Sequence, residues 1–267
     1  MPSWTNPRSA TATLIATFAL GAAPAFAAHP LATEDAATLG GAGLLEVEVA
    51  SAVGVPLGTT VGVTTDVGAA LHAGLGRWFD VGLSVGLGLG SGGPGRPTTV
   101  SVAPVIDAKL RLLEARPGRP GVALRAEYGL AGEDPGHDLS QSATLQLVAT
   151  LPAPGLDVHL NVFGGIEGGF TGRPDGAVGG AAAVEIGLGA RAVLGFEVLG
   201  EVDPVTRGVG LGGTAGLGIQ LPADLVLSVG LGVDWAVGDE VALAPALGLT
   251  IPIDAAPARR TLAGRSG

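Results

Sequence analysis

Asp107, Lys109 and Arg111 alternate with apolar residues, and Arg125 and Glu127 do the same after a turn at 114–120. Side chains two residues apart on an extended chain share a face. These groups therefore project from one side of two neighbouring strands. A cationic strip of this kind can orient an anionic or phenolic solute, but the same groups can also satisfy one another as ion pairs, as charges removed from water usually do. Glu46, Glu48, Asp157, Glu185 and Glu197 occupy the same polar parity on other segments, with His159 beside Asp157. Carboxylates spread around a pore bias it toward cations. A plainly solvated lumen accommodates them equally well.

Catalysis needs tighter constellations than these. His72 and Ser84 lie on one parity, and counting outward from the turn at 76–79 brings them nearly opposite each other. Asp66, the acid on that face, is six residues from His72, roughly 20 Å away at about 3.3 Å per strand residue. It cannot orient the imidazole, so the logic of a nucleophile, base and acid triad fails and no enzyme is expected. The histidines at 29, 72, 137 and 159 show no metal-ligand spacing, and cysteine is absent, which removes both disulfides and thiolate metal sites. The glycine run 208–218 lacks the strand-loop-helix setting and the terminal Lys-Ser/Thr of a phosphate cradle. No cofactor is implied. The formal net charge of −10 argues against a nucleic-acid partner.

The elements that must position these side chains are strands. In 80–90, Val81, Leu83, Val85, Leu87 and Leu89 occupy every second position, against Asp80, Gly82, Ser84, Gly86, Gly88 and Gly90. This is a period of two, not of 3.6. The design repeats over 43–253, in segments at 66–75, 80–90, 99–112, 122–130, 145–151, 158–166, 181–188, 192–200, 209–221, 225–233 and 241–253 after a first that starts at 43. Pro104 falls on the apolar parity, where a paired strand misses its N–H. The mean hydropathy of +0.49 is high, yet after the first thirty residues no apolar run approaches the about 20 that a spanning helix needs. The fold class is therefore all-β: a transmembrane antiparallel β-barrel of about 12 strands, which leaves no backbone group unpaired in hydrocarbon. The connections at 76–79, 114–120, 152–156, 189–191 and 222–224 are compact. Those at 91–97, 131–142 and 167–176 are longer and rich in Gly, Pro and charge. That is the asymmetry between periplasmic turns and extracellular loops. A soluble secreted β-protein is the alternative, but no fixed repeat is present and the aliphatic parity is too pure for a solvated face.

Around the barrel, Arg8, the apolar stretch 10–23 and Ala25-Phe26-Ala27 read as a secretory signal peptide over 1–27. A polar N-terminal segment (28–42) and a polar C-terminal tail (254–267) flank 43–253. Aromatics make up only 4% of the chain; Trp78 and Phe79 fall at one expected rim, and Tyr128, Phe170 and Trp235 near the other.

The segment His29-Pro30-Leu31-Ala32-Thr33-Glu34-Asp35, followed by Thr38, Gly40, Gly43 and Glu46, resembles the opening of a family of outer-membrane transporters labelled for the meta-pathway of phenol degradation. Segments 76–82 and 107–111, His159-Leu160-Asn161 and Glu197 agree more loosely. The resemblance implies a barrel in the outer membrane of a Gram-negative cell, taking up small aromatic or hydrophobic compounds. The function expected is a porin-like channel for passive diffusion, with outer-membrane lipid and a small-molecule solute as its partners. A structural or surface-interaction barrel with a plugged lumen is the alternative.

Overall fold

A segment that alternates an aliphatic with a small or polar residue is apolar on one face and undemanding on the other. A closed ring of such segments has no free edge. The computed structural model describes residues 36, 37, 39, 42–57, 62–91, 98–133, 139–169, 175–204, 208–236 and 241–254. The signal-peptide region 1–27, the opening motif 29–35 and the tail beyond residue 254 lie outside them.

The strands are β1 (Leu44–Pro56), β2 (Val63–Gly74), β3 (Phe79–Ser91), β4 (Thr98–Leu113), β5 (Gly121–Glu133), β6 (Ser140–Ala153), β7 (Leu156–Gly169), β8 (Asp175–Gly187), β9 (Ala192–Val202), β10 (Val209–Gln220), β11 (Val226–Ala236) and β12 (Ala242–Asp254). Each pairs antiparallel with its neighbours in sequence, and β1 closes on β12 from Leu44↔Asp254 to Pro56↔Ala242, completing a twelve-stranded barrel.

The alternation sorts by environment. Leu83, Val85, Leu87 and Leu89 are 56, 39, 48 and 50% exposed, whereas Gly82, Ser84, Gly86 and Gly88 between them are buried. The core is thus the lumen itself, and the large apolar side chains form the outer surface. In water such a surface would be unfavourable by about 25 cal/mol per Å² of apolar area; in a bilayer it is the solvated face.

Both ends of the ladder, Leu44 and Asp254, lie on the rim that carries the compact turns. On the other rim the strands run further than their composition suggests. The β5–β6 ladder continues to Ala131↔Ser140, and the β7–β8 ladder to Glu167↔Asp175. Gly, Ser and acidic residues read as loop there because they interrupt the apolar pattern, yet backbone pairing does not require that pattern once the ladder is in register. Pro104 faces outward and pairs with Val85 of β3, while the β4–β5 register skips Ala103 and Pro104 and resumes unchanged at Val105↔Gly129. Pro245 does the same on β12, where the register with β1 skips Val53 and Gly54. Each proline removes one ladder donor without shifting the strand.

Candidate functional site

The inner face divides into two halves. Near the short-turn rim it is crowded with polar groups: Glu48, Asp80, Ser84, Arg125, Thr150, His159, Asn161, Glu185, Glu197, Ser228 and Thr250 are all buried. Cross-strand register brings them together. Asp107 stands opposite Glu127, and Lys109 opposite Arg125. Arg125 Nη2 lies 2.9 Å from Glu127 Oε1, and its Nε lies 3.4 Å from Asp107 Oδ1. One guanidinium thus bridges two carboxylates, with side chains only 10 and 6% exposed for Arg125 and Asp107. In this part of the strip the charges pair with one another, as the ion-pair reading expects.

The other two cations of the strip act elsewhere. Lys109 Nζ donates to the carbonyl of Ala37 at 3.1 Å, and Arg111 donates to the carbonyl of Arg77 and lies over the ring of Trp78. Asp157 and Glu185 stand opposite each other on β7 and β8. Glu46 is opposite His72, Glu48 opposite Ala70, and Glu197 opposite Thr214.

His72 faces Gly82 rather than Ser84, which stands opposite Ala70. The nearly opposed placement that counting from the turn suggested is therefore diagonal by two residues. His72 Nε2 instead lies 3.6 Å from Glu48 Oε2. A Cβ at Gly82 would come within 2.7 Å of His72 Nδ1 and 2.8 Å of Asp107 Cγ, so the glycine gives these two side chains room to meet over the wall.

A second constellation emerges from pairing across the turn that joins β6 and β7. Thr150 stands opposite His159, and their Oγ1 and Nδ1 atoms are 3.0 Å apart, while His159 Nε2 lies 3.6 Å from Glu185 Oε2. The order hydroxyl, imidazole, carboxylate is that of a nucleophile, base and orienting acid. Here, however, Thr150 Oγ1 also accepts the backbone N–H of Ala36 at 2.8 Å. The hydroxyl holds a piece of the chain in place. The pair was readable beforehand, since both residues lie on the polar parity and at similar distances from the short turn at 154–155.

That piece of chain is the least expected part of the site. Ala36, Ala37 and Leu39 lie inside the barrel. Ala36 is 1% exposed and packs on Ala123 and Val148, both completely buried. The N–H of Leu39 donates to Asp80 Oδ2 at 2.8 Å. Gly43, at φ +90°, makes the bend by which the chain leaves the lumen and enters β1, and its N–H donates to Gly74 at the end of β2. Alternation could not reveal this segment, because a strap across a lumen has no face to keep apolar.

Toward the other rim the wall is small and acidic. Gly86, Gly88 and Gly90 of β3, Ala177 and Gly179 of β8, Gly210 and Gly212 of β10, and Ala244 and Ala246 of β12 lie on the inner parity, together with Asp66, Glu201 and Asp234. Phe163 of β7 is the inward aromatic side chain that the sequence reading passed over; its ring lies against Gly179. Among the described residues, no Lys or Arg projects from the inner parity of this half, and no group of three potential metal ligands occurs.

No protein-family model and no curated protein matches this chain. Solved structures do. An outer membrane channel from Pseudomonas putida F1 superposes with TM-score 0.59 at 12% identity, covering 82% of this chain and 98% of that one. The translocator domain of the autotransporter NalP from Neisseria meningitidis gives TM-score 0.58 at 13% identity, covering 91% and 97%. The KdgM porin, solved in complex with disordered oligogalacturonate, gives 0.51 at 9%, covering 76% and 97%. The fold is that of outer-membrane β-barrels.

Proposed function

We propose that this chain is an outer-membrane channel for small solutes, exported by its N-terminal signal and entered from the long-loop rim, which is then extracellular. The observation that carries the reading is the contrast along the lumen. The extracellular half is lined mostly with glycine, alanine and carboxylates, and the periplasmic half is narrowed by an ion-paired polar belt with residues 36, 37 and 39 held against it. A barrel whose only task was mechanical would gain from filling its interior with apolar side chains. Among the described residues, this one places few large apolar side chains on the inner parity of its outer half.

A hydrophobic or aromatic solute is the class that the resemblance of residues 29–46 suggests, and the inward ring of Phe163 is compatible with it. Passage by passive diffusion is part of the same proposal. A closed structural barrel is the second reading, favoured by the three hydrogen bonds that fix residues 36, 37 and 39.

Planar-bilayer conductance of the intact chain and of a variant lacking 28–42, with liposome swelling for aromatic acids against sugars, separates the two. A channel gives currents that grow on truncation. Lys109→Glu with Arg111→Glu then shifts selectivity toward cations, because both residues share the inner parity of β4. Silence of both forms, with no solute flux, overturns the transport reading.

A further inference from the structure

The chain is acidic, with 14 basic against 24 acidic residues, yet its described basic residues are not scattered. They are Arg77, Lys109, Arg111, Arg116, Arg119, Arg125 and Arg191, and all but Arg191 lie on β4, β5 or the turns that join β2 to β3 and β4 to β5. The four arginines nearest the rim form one surface. In the β4–β5 turn, Arg116 and Arg119 exchange backbone hydrogen bonds at 3.1 and 2.8 Å around Pro117-Gly118, with Gly118 at φ +74°. Proline followed by a positive-φ glycine is the pattern of a type II turn. It sets two guanidinium groups as direct cross-strand neighbours, a placement that like charges make unfavourable unless an anion meets them.

Glu114 binds Arg116 at 2.9 Å and lies 3.5 Å from Arg77, linking the two turns. Arg77 and Arg111 lie 4.5 and 5.2 Å from the ring centre of Trp78. One carboxylate thus pairs with two of the four guanidinium groups. The side chains of Arg77 and Arg116 remain 58 and 62% exposed.

The depth of this surface follows from its neighbours. A register shift between Arg111 and Leu113 breaks the alternation, so that Leu112 and Leu113 are both exposed, beside the exposed rings of Trp78 and Phe79. The apolar outer face therefore ends at Leu113, and the charged turn begins at the next residue. Aromatic side chains at such a boundary sit at the level of lipid headgroups, and guanidinium groups there meet phosphate with bidentate geometry.

We propose that the β2–β3 and β4–β5 turns form a binding site for the phosphodiester headgroup of an anionic phospholipid in the periplasmic leaflet, held by Arg77, Arg116 and Arg119 with Trp78 and Phe79 against the glycerol and upper acyl region. The proposal rests on the outer-membrane reading, and the test separates the two. The full chain is refolded into liposomes of phosphatidylcholine with a minor fraction of phosphatidylglycerol, floated, extracted in mild detergent, and its retained lipid is counted by native mass spectrometry. Heat modifiability verifies folding of every variant.

The wild type retains phosphatidylglycerol several-fold above its mixing fraction, less at high salt. Arg116→Glu with Arg119→Glu brings retention down to the mixing fraction, whereas Arg191→Glu, on the β8–β9 turn, leaves it unchanged. Folded protein that floats but retains the two lipids in their mixing ratio overturns the headgroup site and leaves the barrel reading intact. Protein that fails to float at all overturns both. Loss of retention with Arg191→Glu equal to that with Arg119→Glu alone reduces the effect to net charge and overturns the site. Displacement of the lipid by millimolar inorganic phosphate assigns the arginines to free anions, and binding of polyglutamate without lipid preference assigns them to an acidic protein. Either result overturns the lipid proposal.

Discussion

The two halves of the lumen are made by the same strands with the same alternation, yet they are built for different ends. Near the short-turn rim, many inward residues are polar and buried, and several are answered by a strand neighbour or by the strap: Arg125 by two acids, His159 by Thr150 and Glu185, Asp80 by Leu39. Toward the long-loop rim, the described inward residues are mostly small, with Phe163 and Leu199 as exceptions, and the charges among them are of one sign. A barrel of this size has its backbone radius fixed at roughly 12 Å by strand number, spacing and tilt. Side-chain volume is therefore the remaining variable that sets the bore, and the chain spends it unequally along the axis.

The largest expected effect tests that inequality directly. Removing residues 28–42 takes away the strap but none of the wall, so single-channel conductance should rise several-fold while the barrel stays heat-modifiable. An unchanged conductance would mean that the polar belt alone sets the constriction.

The next tests the outer surface against the inner. Arg at Leu83, Val85, Leu87, Leu227, Val229 or Leu231 should cost roughly 2–4 kcal/mol by denaturant titration in lipid, against little for Gly86→Arg. Equal costs on the two faces would reverse the assignment of lumen and lipid.

Within the short-turn half, Arg125→Gln leaves the buried Asp107 and the half-buried Glu127 without their shared guanidinium and should cost on the order of 1–3 kcal/mol. The double change with Glu127→Gln recovers part of that loss. In the long-loop half, Asp66→Asn, Glu201→Gln and Asp234→Asn together should cost little stability but lower the cation preference measured as reversal potential under a salt gradient. Loss of stability there, with unchanged selectivity, would erase the contrast between the halves.

The smallest effect concerns Glu114, in the solvent-exposed β4–β5 turn. The hydrogen bond and charge of Arg116, with smaller contributions from Arg111 and Arg77, hold its carboxyl below the usual glutamate range. A depressed folded value means that the tie is present above the unfolded value and is lost as pH falls through the folded one. Phospholipid retention should therefore be flat from neutral pH to the ordinary glutamate range and rise slightly below it. Glu114→Gln should show the raised level at every pH.

Much of the fold was legible because lipid imposes a simple rule. The segment 80–90 announces its outward face residue by residue, and the turn at 114–120 is readable from Pro117-Gly118 alone. What escaped depended on pairing or on the absence of a pattern. Thr150 and His159 lie nine residues apart and become neighbours only through the short β6–β7 turn. The strands extend beyond 166 and before 181 because ladder hydrogen bonds tolerate Gly and acids that dilute the apolar signal. Ala36, Ala37 and Leu39 could not be placed, since nothing local distinguishes three small or apolar residues inside a barrel from the same residues outside one. Lys109 was legible as a lumen cation, but its partner is a carbonyl of that same strap.

The pairing of β1 with β12 has a consequence for how the molecule comes into being. Every other ladder joins strands adjacent in sequence, whereas Leu44↔Asp254 joins residues at opposite ends of the barrel segment. Hairpins can zip early at small entropic cost, but this seam closes the longest loop in the chain, and contacts of that separation form slowly. Until it closes, two strand edges remain open at once and the nascent sheet is a template for unwanted partners. The strap, continuous with β1 through Gly43, lies on the concave side of that edge, so closure and enclosure of the strap belong to a single final event.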